Sequence, residues 1–115
     1  MHPDKICDMV RFADRYPNMN LIIAHIHSPI YADVISAAKH GNIFADTSGG
    51  DSRSNNVIEY TVERAGAEKI FFGTDTYSSG FQTGRIKYAL ISDKAKEDIL
   101  FNNAKRHFAR QLSDL

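Results

Sequence analysis

The chain has 115 residues, 43% hydrophobic and 24% charged, a balance that excludes a disordered or fibrous polymer and fits one globular domain over residues 1–115. Lysine plus arginine and aspartate plus glutamate each number 14, which removes any electrostatic case for nucleic acid or an anionic membrane as partner. Cys7 is the single cysteine, so no intrachain disulfide forms, and no apolar run approaches the roughly 18–20 residues of a membrane span.

From Pro3 to about Tyr16, Ile6, Met9, Val10 and Ala13 recur at helical spacing, and Pro3 suits a first helical turn. Cys7 is expected to pack on that apolar face. Tyr16-Pro17-Asn18 stops the helix. Leu21 to Ile26 is a continuous apolar run, as a strand covered by helices should be, and Ser28-Pro29 breaks it. A helix is expected from about Ile30 to Lys39, capped by Gly41. Ile43 to Thr47 reads as the second strand, Ser48 to Ser52 as a loop, and Asn55 to Ala65 as a helix ended by Gly66. Ile70 to Gly73 is the third strand. Thr76 to Thr83 reads as a polar loop and Arg85 to Ile91 as a short helix. Ser92 is a good N-cap for the last helical segment, which turns Ile99, Leu100, Ala104 and Phe108 inward.

Strands alternating with helices predict a parallel sheet, whose ligand side lies at the carboxyl ends of its strands. There the first strand ends in His25-Ile26-His27, the second in Asp46-Thr47-Ser48 and the third in Gly73-Thr74-Asp75. Histidine and aspartate on one face can make a metal site or an acid–base pair. Asp75, following Phe71-Phe72, is either a metal ligand or a carboxylate that caps the next turn. His25 and His27 are two apart and point the same way on an extended strand. With Asp75 they would give three ligands and an open fourth position; the alternative is two histidines bonded to backbone or carboxylate. Asp46 and Ser48 read either as substrate contacts and support for His25 or as loop-starting residues with local hydrogen bonds. A Ser48–His25–Asp46 nucleophilic triad is the remaining arrangement. His2, His40 and His107 are expected at the surface.

These segments together resemble the carboxyl-terminal part of the amidohydrolase-related TIM-barrel metal-dependent hydrolases. The resemblance rests on Tyr16-Pro17-Asn18 before Leu21-Ile22-Ile23-Ala24-His25, on Asn42 to Ser48, on Ile70 to Asp75, and on Asn103-Ala104-Lys105-Arg106-His107-Phe108. It implies a partial (β/α)₈ barrel of three parallel strands with flanking helices, His25 on the sixth barrel strand, Asp46 on the seventh and Asp75 on the eighth. In that family the strand-eight aspartate ligates a divalent metal, zinc or manganese here, and takes a proton from the attacking water. The strand-six histidine ligates metal or orients water or substrate. His27 stands where the family usually has glycine, and Thr76-Tyr77-Ser78 replaces its aromatic and proline. The family's strand-one and strand-five histidine ligands have no counterpart in these residues.

The resemblance implies hydrolysis of a C–N or C–O bond in a small-molecule substrate, with decarboxylation on the same platform and a non-catalytic binding or assembly module as alternatives. Arg53 and Arg85 are the only charged loop anchors for a substrate. Three strands of a barrel have two open edges. The chain is therefore expected to form a homodimer, with Leu21, Ile23 and Phe71, which share the faces of His25 and Asp75 by strand alternation, at the contact, to cover its edges with its own helices, or to join the remainder of a barrel. Met1-His2-Pro3-Asp4-Lys5 lacks a secretory pattern, so a cytoplasmic location is expected.

Overall fold

Helix α1 (Pro3–Arg15) leads to strand β1 (Leu21–Ile23), helix α2 (Ile30–Ala37), strand β2 (Ile43–Asp46) and helix α3 (Val57–Ala65). A 3₁₀ turn (Ala67–Lys69) then enters strand β3 (Ile70–Phe71), followed by α4 (Ser79–Lys87) and α5 (Asp93–Glu97). A π turn (Asp98–Asn102) joins α5 to α6 (Asn103–Leu112). The computed structural model describes residues 3–49, 56–76 and 79–113. The readings placed on His2, on Gly50 to Asn55 with Arg53, and on Tyr77 and Ser78 lie outside the described residues.

The strands run parallel in the order β1-β2-β3, with Ile22 opposite Phe44 and Asp46 opposite Phe71. Alternation then separates two faces. Ile23, Ile43, Ala45 and Ile70 face the helices and join Val34, Ile35, Val57, Ile58, Ile86 and Ile99 in the main core. Ile22, Phe44, Asp46 and Phe71 share the other face, which points inward in a closed barrel. This division corrects one expectation. Leu21 and Ile23 pack on the helix side and Phe71 on the opposite side, because the strand ends at Ile23 and alternation cannot be carried on to His25.

The barrel-side face is partly covered by the chain itself. The His107 ring meets Phe44 and Phe71 edge-on at 4.8 and 5.4 Å, and Phe108 tilts against Phe71 at 5.5 Å. His107 is thus half-buried rather than a surface residue. The edge of β3 is also closed: Phe72 N–H donates to the Ile99 carbonyl at 3.2 Å, and the buried Asn103 amide donates to the Ile70 carbonyl at 2.7 Å. Of the two edges expected to be open, this one is satisfied within the chain.

Local chemistry explains other departures. Cys7 is exposed, because Ile6, Met9, Val10 and Ala13 form the packed stripe and the next residue is turned about 100° away. Helix α4 starts at Ser79, inside the stretch read as a loop, since Gln82 and Ile86 are fully buried one turn apart. Tyr88 and Leu90 lie beyond its end, 87% and 89% exposed. Gly41, at φ +63, makes the turn into β2 and not the helix cap itself, which is Ala38. Ser92 caps α5 as expected, accepting from Ala95 N–H at 3.1 Å.

Desolvation by the surrounding rings, then the Arg106 and Lys69 charges, hold His107 below the ordinary histidine pKa. The unfolded chain therefore binds a proton first as pH falls, so this contribution is present above about 6.5 and is lost as pH drops through the folded value. The melting temperature should decline between about pH 7.5 and 5.5, and His107→Phe should flatten that slope. An identical slope in the variant would assign the effect to other groups.

Candidate functional site

Four polar residues meet at the carboxyl ends of the strands. Asp46 ends β2, and its Oδ1 accepts the backbone N–H of His25 at 3.1 Å, the N–H of Ser48 at 2.9 Å and the Ser48 hydroxyl. Ser48 Oγ lies 3.1 Å from His25 Nδ1. Asp75 Oδ2 stands 3.9 Å from the same nitrogen. Side chains from the ends of all three strands therefore converge on one imidazole.

The backbone is bent to achieve this. His25 and Asp75 both adopt left-handed conformations, at φ 66° and 56°. Each costs about 1–3 kcal/mol relative to ordinary backbone, although His and Asp are among the side chains that tolerate it. Such strain persists only when the surroundings fix it, and here they do. Thr47 Oγ1 donates to the Gly73 carbonyl at 3.2 Å and accepts from Gly73 N–H at 3.1 Å, clasping the ends of β2 and β3. Gly73 permits the approach: a Cβ there would stand 3.0 Å from the Ser48 Cβ. Ile26 N–H donates to the Asp46 carbonyl at 2.9 Å, which ties the segment after His25 to β2.

His27 does not join the cluster. Its Nδ1 donates to the His25 carbonyl at 2.5 Å, and its ring lies edge-on to Tyr31 at 5.3 Å. The left-handed turn at His25 ends the alternation that would have aimed both imidazoles the same way. Burial, and secondarily the Asp46 carboxylate, push the Tyr31 phenol above its ordinary value, so it stays a neutral donor beside the site.

Among the described residues no three His, Cys, Asp or Glu side chains are arranged to hold a metal ion. His25 and Asp75 offer two donors, one short of the three protein ligands of a catalytic zinc site. The set His25, His27 and Asp75 thus does not fit a metal on its own. We expect titration of the isolated chain with Zn²⁺ or Mn²⁺ to show weak binding; a tight stoichiometric site in the monomer would contradict this.

The His25 and Asp75 side chains are 50% and 38% exposed. At 3.9 Å in contact with water their attraction is a minor stabilising term; what the pair offers is an accessible acid and base. Two residues of α4 hold the floor of the site: Gln82, which no sequence signal singles out, and Arg85, which was expected to anchor a substrate. The fully buried Gln82 donates to the Gly49 carbonyl, and Arg85 Nη1 donates to the Thr47 carbonyl at 3.1 Å. Arg85 is thus a backbone anchor in this structure rather than an open substrate contact. Gln82 lay in a Ser-, Thr- and Gly-rich stretch, where no periodic signal marked it as core.

A profile of the amidohydrolase family matches residues 1–110. No curated protein sequence matches the chain. Among solved structures, 5-carboxyvanillate decarboxylase from Sphingomonas paucimobilis aligns with a TM-score of 0.71 at 17% identity, over 91% of this chain and 38% of that one. 2,6-Dihydroxybenzoate decarboxylase from Rhizobium aligns with a TM-score of 0.70 at 19% identity, over 92% and 41%. Amidohydrolase 2 from Bifidobacterium longum subsp. infantis gives 0.63 at 19%, over 90% and 45%. At these identities the likeness establishes the fold, a partial TIM barrel, and the chain spans less than half the length of these structures. No helix among the described residues is long and apolar enough to cross a membrane.

Proposed function

Since the chain belongs to the amidohydrolase family, whose members typically use a divalent metal, we propose that it supplies the last three strands of a barrel hydrolysing a C–N or C–O bond in a small molecule. The observation that supports this reading is the meeting of His25 and Asp75, 3.9 Å apart, at the carboxyl end of a parallel sheet. Asp75 is the base that takes the proton of the attacking water and passes it to the leaving group, and the imidazole of His25 orients the water or substrate. Asp46 and Ser48 stand behind His25. The ion, zinc or manganese in this reading, needs ligands beyond the described residues, and the remaining strands of the barrel are their source.

The residues 1–115 then act as one domain that is inactive or nearly so alone. Its partner is the remainder of a barrel or a second copy of the chain, meeting it along β1, the sheet edge opposite the one that Ile99 and Asn103 close. The lone, exposed thiol of Cys7 is compatible with a reducing, cytoplasmic setting. Sedimentation at micromolar concentration tests the second copy; a monomer would leave the remainder of a barrel as the partner.

The activity test is reconstitution. The chain is mixed with a fragment carrying the first five strands of a family barrel and assayed with Zn²⁺ or Mn²⁺ on amides, lactones and aromatic carboxylates. Hydrolysis that needs both pieces is expected. Release of carbon dioxide in place of hydrolysis would reassign the chain to decarboxylation. Tight association without turnover would favour the non-catalytic module.

A further inference from the structure

We propose that Asp46 and Ser48 are positioning residues that hold the His25 imidazole as its Nδ1–H tautomer, so that the site presents the Nε2 lone pair. The inference deepens the role proposed for His25 and rests on that reading for its catalytic consequence.

The argument is a count of hydrogens. Ser48 has one hydroxyl hydrogen and, among the described residues, two polar side-chain neighbours, Asp46 Oδ1 and His25 Nδ1. Asp46 Oδ1 also takes two backbone N–H groups, at 2.9 and 3.1 Å, so it stands as an acceptor toward all its neighbours. The Ser48 hydrogen therefore goes to Asp46. What Ser48 turns toward the ring at 3.1 Å is oxygen lone pairs, and these bind an imidazole nitrogen only if it carries the hydrogen. Asp75 Oδ2, at 3.9 Å from the same nitrogen, adds negative charge on the same side.

The loop is shaped for this contact. Gly49 sits at φ +76, and a Cβ there would fall 2.5 Å from His25 Nδ1, so no larger residue leaves the ring in place. Gln82 and Arg85 grip the Gly49 and Thr47 carbonyls from α4. Ser48 is 8% exposed, so water competes little for its hydroxyl. The rival reading, Ser48 as a nucleophile, needs the opposite arrangement, in which the hydroxyl hydrogen points at a bare Nδ1 and Nε2 carries the ring hydrogen. The two readings therefore assign opposite tautomers to one residue.

Long-range ¹H–¹⁵N correlation spectra of the ¹⁵N-histidine-labelled chain distinguish them, at about pH 8.5, two units above the ordinary histidine value. The parent should show His25 protonated at Nδ1. In Ser48→Ala the Nδ1–H to Nε2–H ratio should fall by a factor of about five to thirty, as the loss of one hydrogen bond implies. Asp46→Asn, which loosens the same relay, should move it in the same direction and serves as the second variant if Ser48→Ala does not fold. A parent protonated at Nε2 overturns the proposal outright. So does an unchanged tautomer in folded Ser48→Ala, since the relay would then not be what sets it. Failure of the functional reading looks different: a reconstituted barrel without turnover removes the reaction and leaves the tautomer result standing.

Discussion

Asp75→Asn in the reconstituted barrel is expected to lower kcat/KM by about 10²–10⁴-fold, the usual worth of a positioned general base. The substitution isolates the charge. Asparagine has nearly the same volume and, like aspartate, tolerates the left-handed backbone observed at φ 56°. Among the described residues its ionic partner is His25 Nδ1 at 3.9 Å, and the carboxylate is 38% exposed, so losing the anion should change stability by less than about 1 kcal/mol. The fall should appear in kcat with little change in KM, because the proton is taken only on the way to the transition state. A variant within about threefold of the parent would remove Asp75 from the chemistry and leave it a turn residue. If kcat/KM fell together with a large loss of stability, Asp75 would be bracing the loop instead.

The elements of this fold were legible where local chemistry is strong. Continuous apolar runs marked the strands, the Ile6, Met9, Val10 and Ala13 spacing marked α1, and Ser92 marked the start of α5. Parallel pairing follows from the alternation of strands with helices, and it brings His25, Asp46 and Asp75 to one end of the sheet. What could not be read is how each chain segment leaves its strand. His25 lies two residues past β1 in a left-handed turn, so strand alternation misassigned both the direction of His27 and the faces of Leu21 and Ile23. Gln82 illustrates a second limit. A polar side chain buried to hold one backbone carbonyl carries no hydrophobic signal, and only the path of the Gly49 loop explains it. His107 illustrates a third, since its partners Phe44 and Phe71 lie 63 and 36 residues away in sequence, beyond the reach of any local pattern.

Stability should be most sensitive at the middle of the sheet. Ile43 opens β2, the strand with a neighbour on both sides, and is completely buried on the helix-facing side. Ile43→Ala removes apolar volume that close-packed surroundings can refill only in part, at a cost of about 2–5 kcal/mol. A domain of this size has roughly 5–15 kcal/mol in total, so this one substitution should consume a large share of it. Leu90→Ala is the matched control. It deletes a comparable aliphatic side chain at a site 89% exposed, where surface substitutions usually stay within about 0.5 kcal/mol. Urea melts of the two variants should separate, with the midpoint of Ile43→Ala far below the parent and that of Leu90→Ala close to it. The reverse order would mean that Leu90 is covered by an assembly partner in solution and that the β2 core is looser than its burial implies. Equal midpoints with a reduced slope for Ile43→Ala would instead point to a partly structured denatured state.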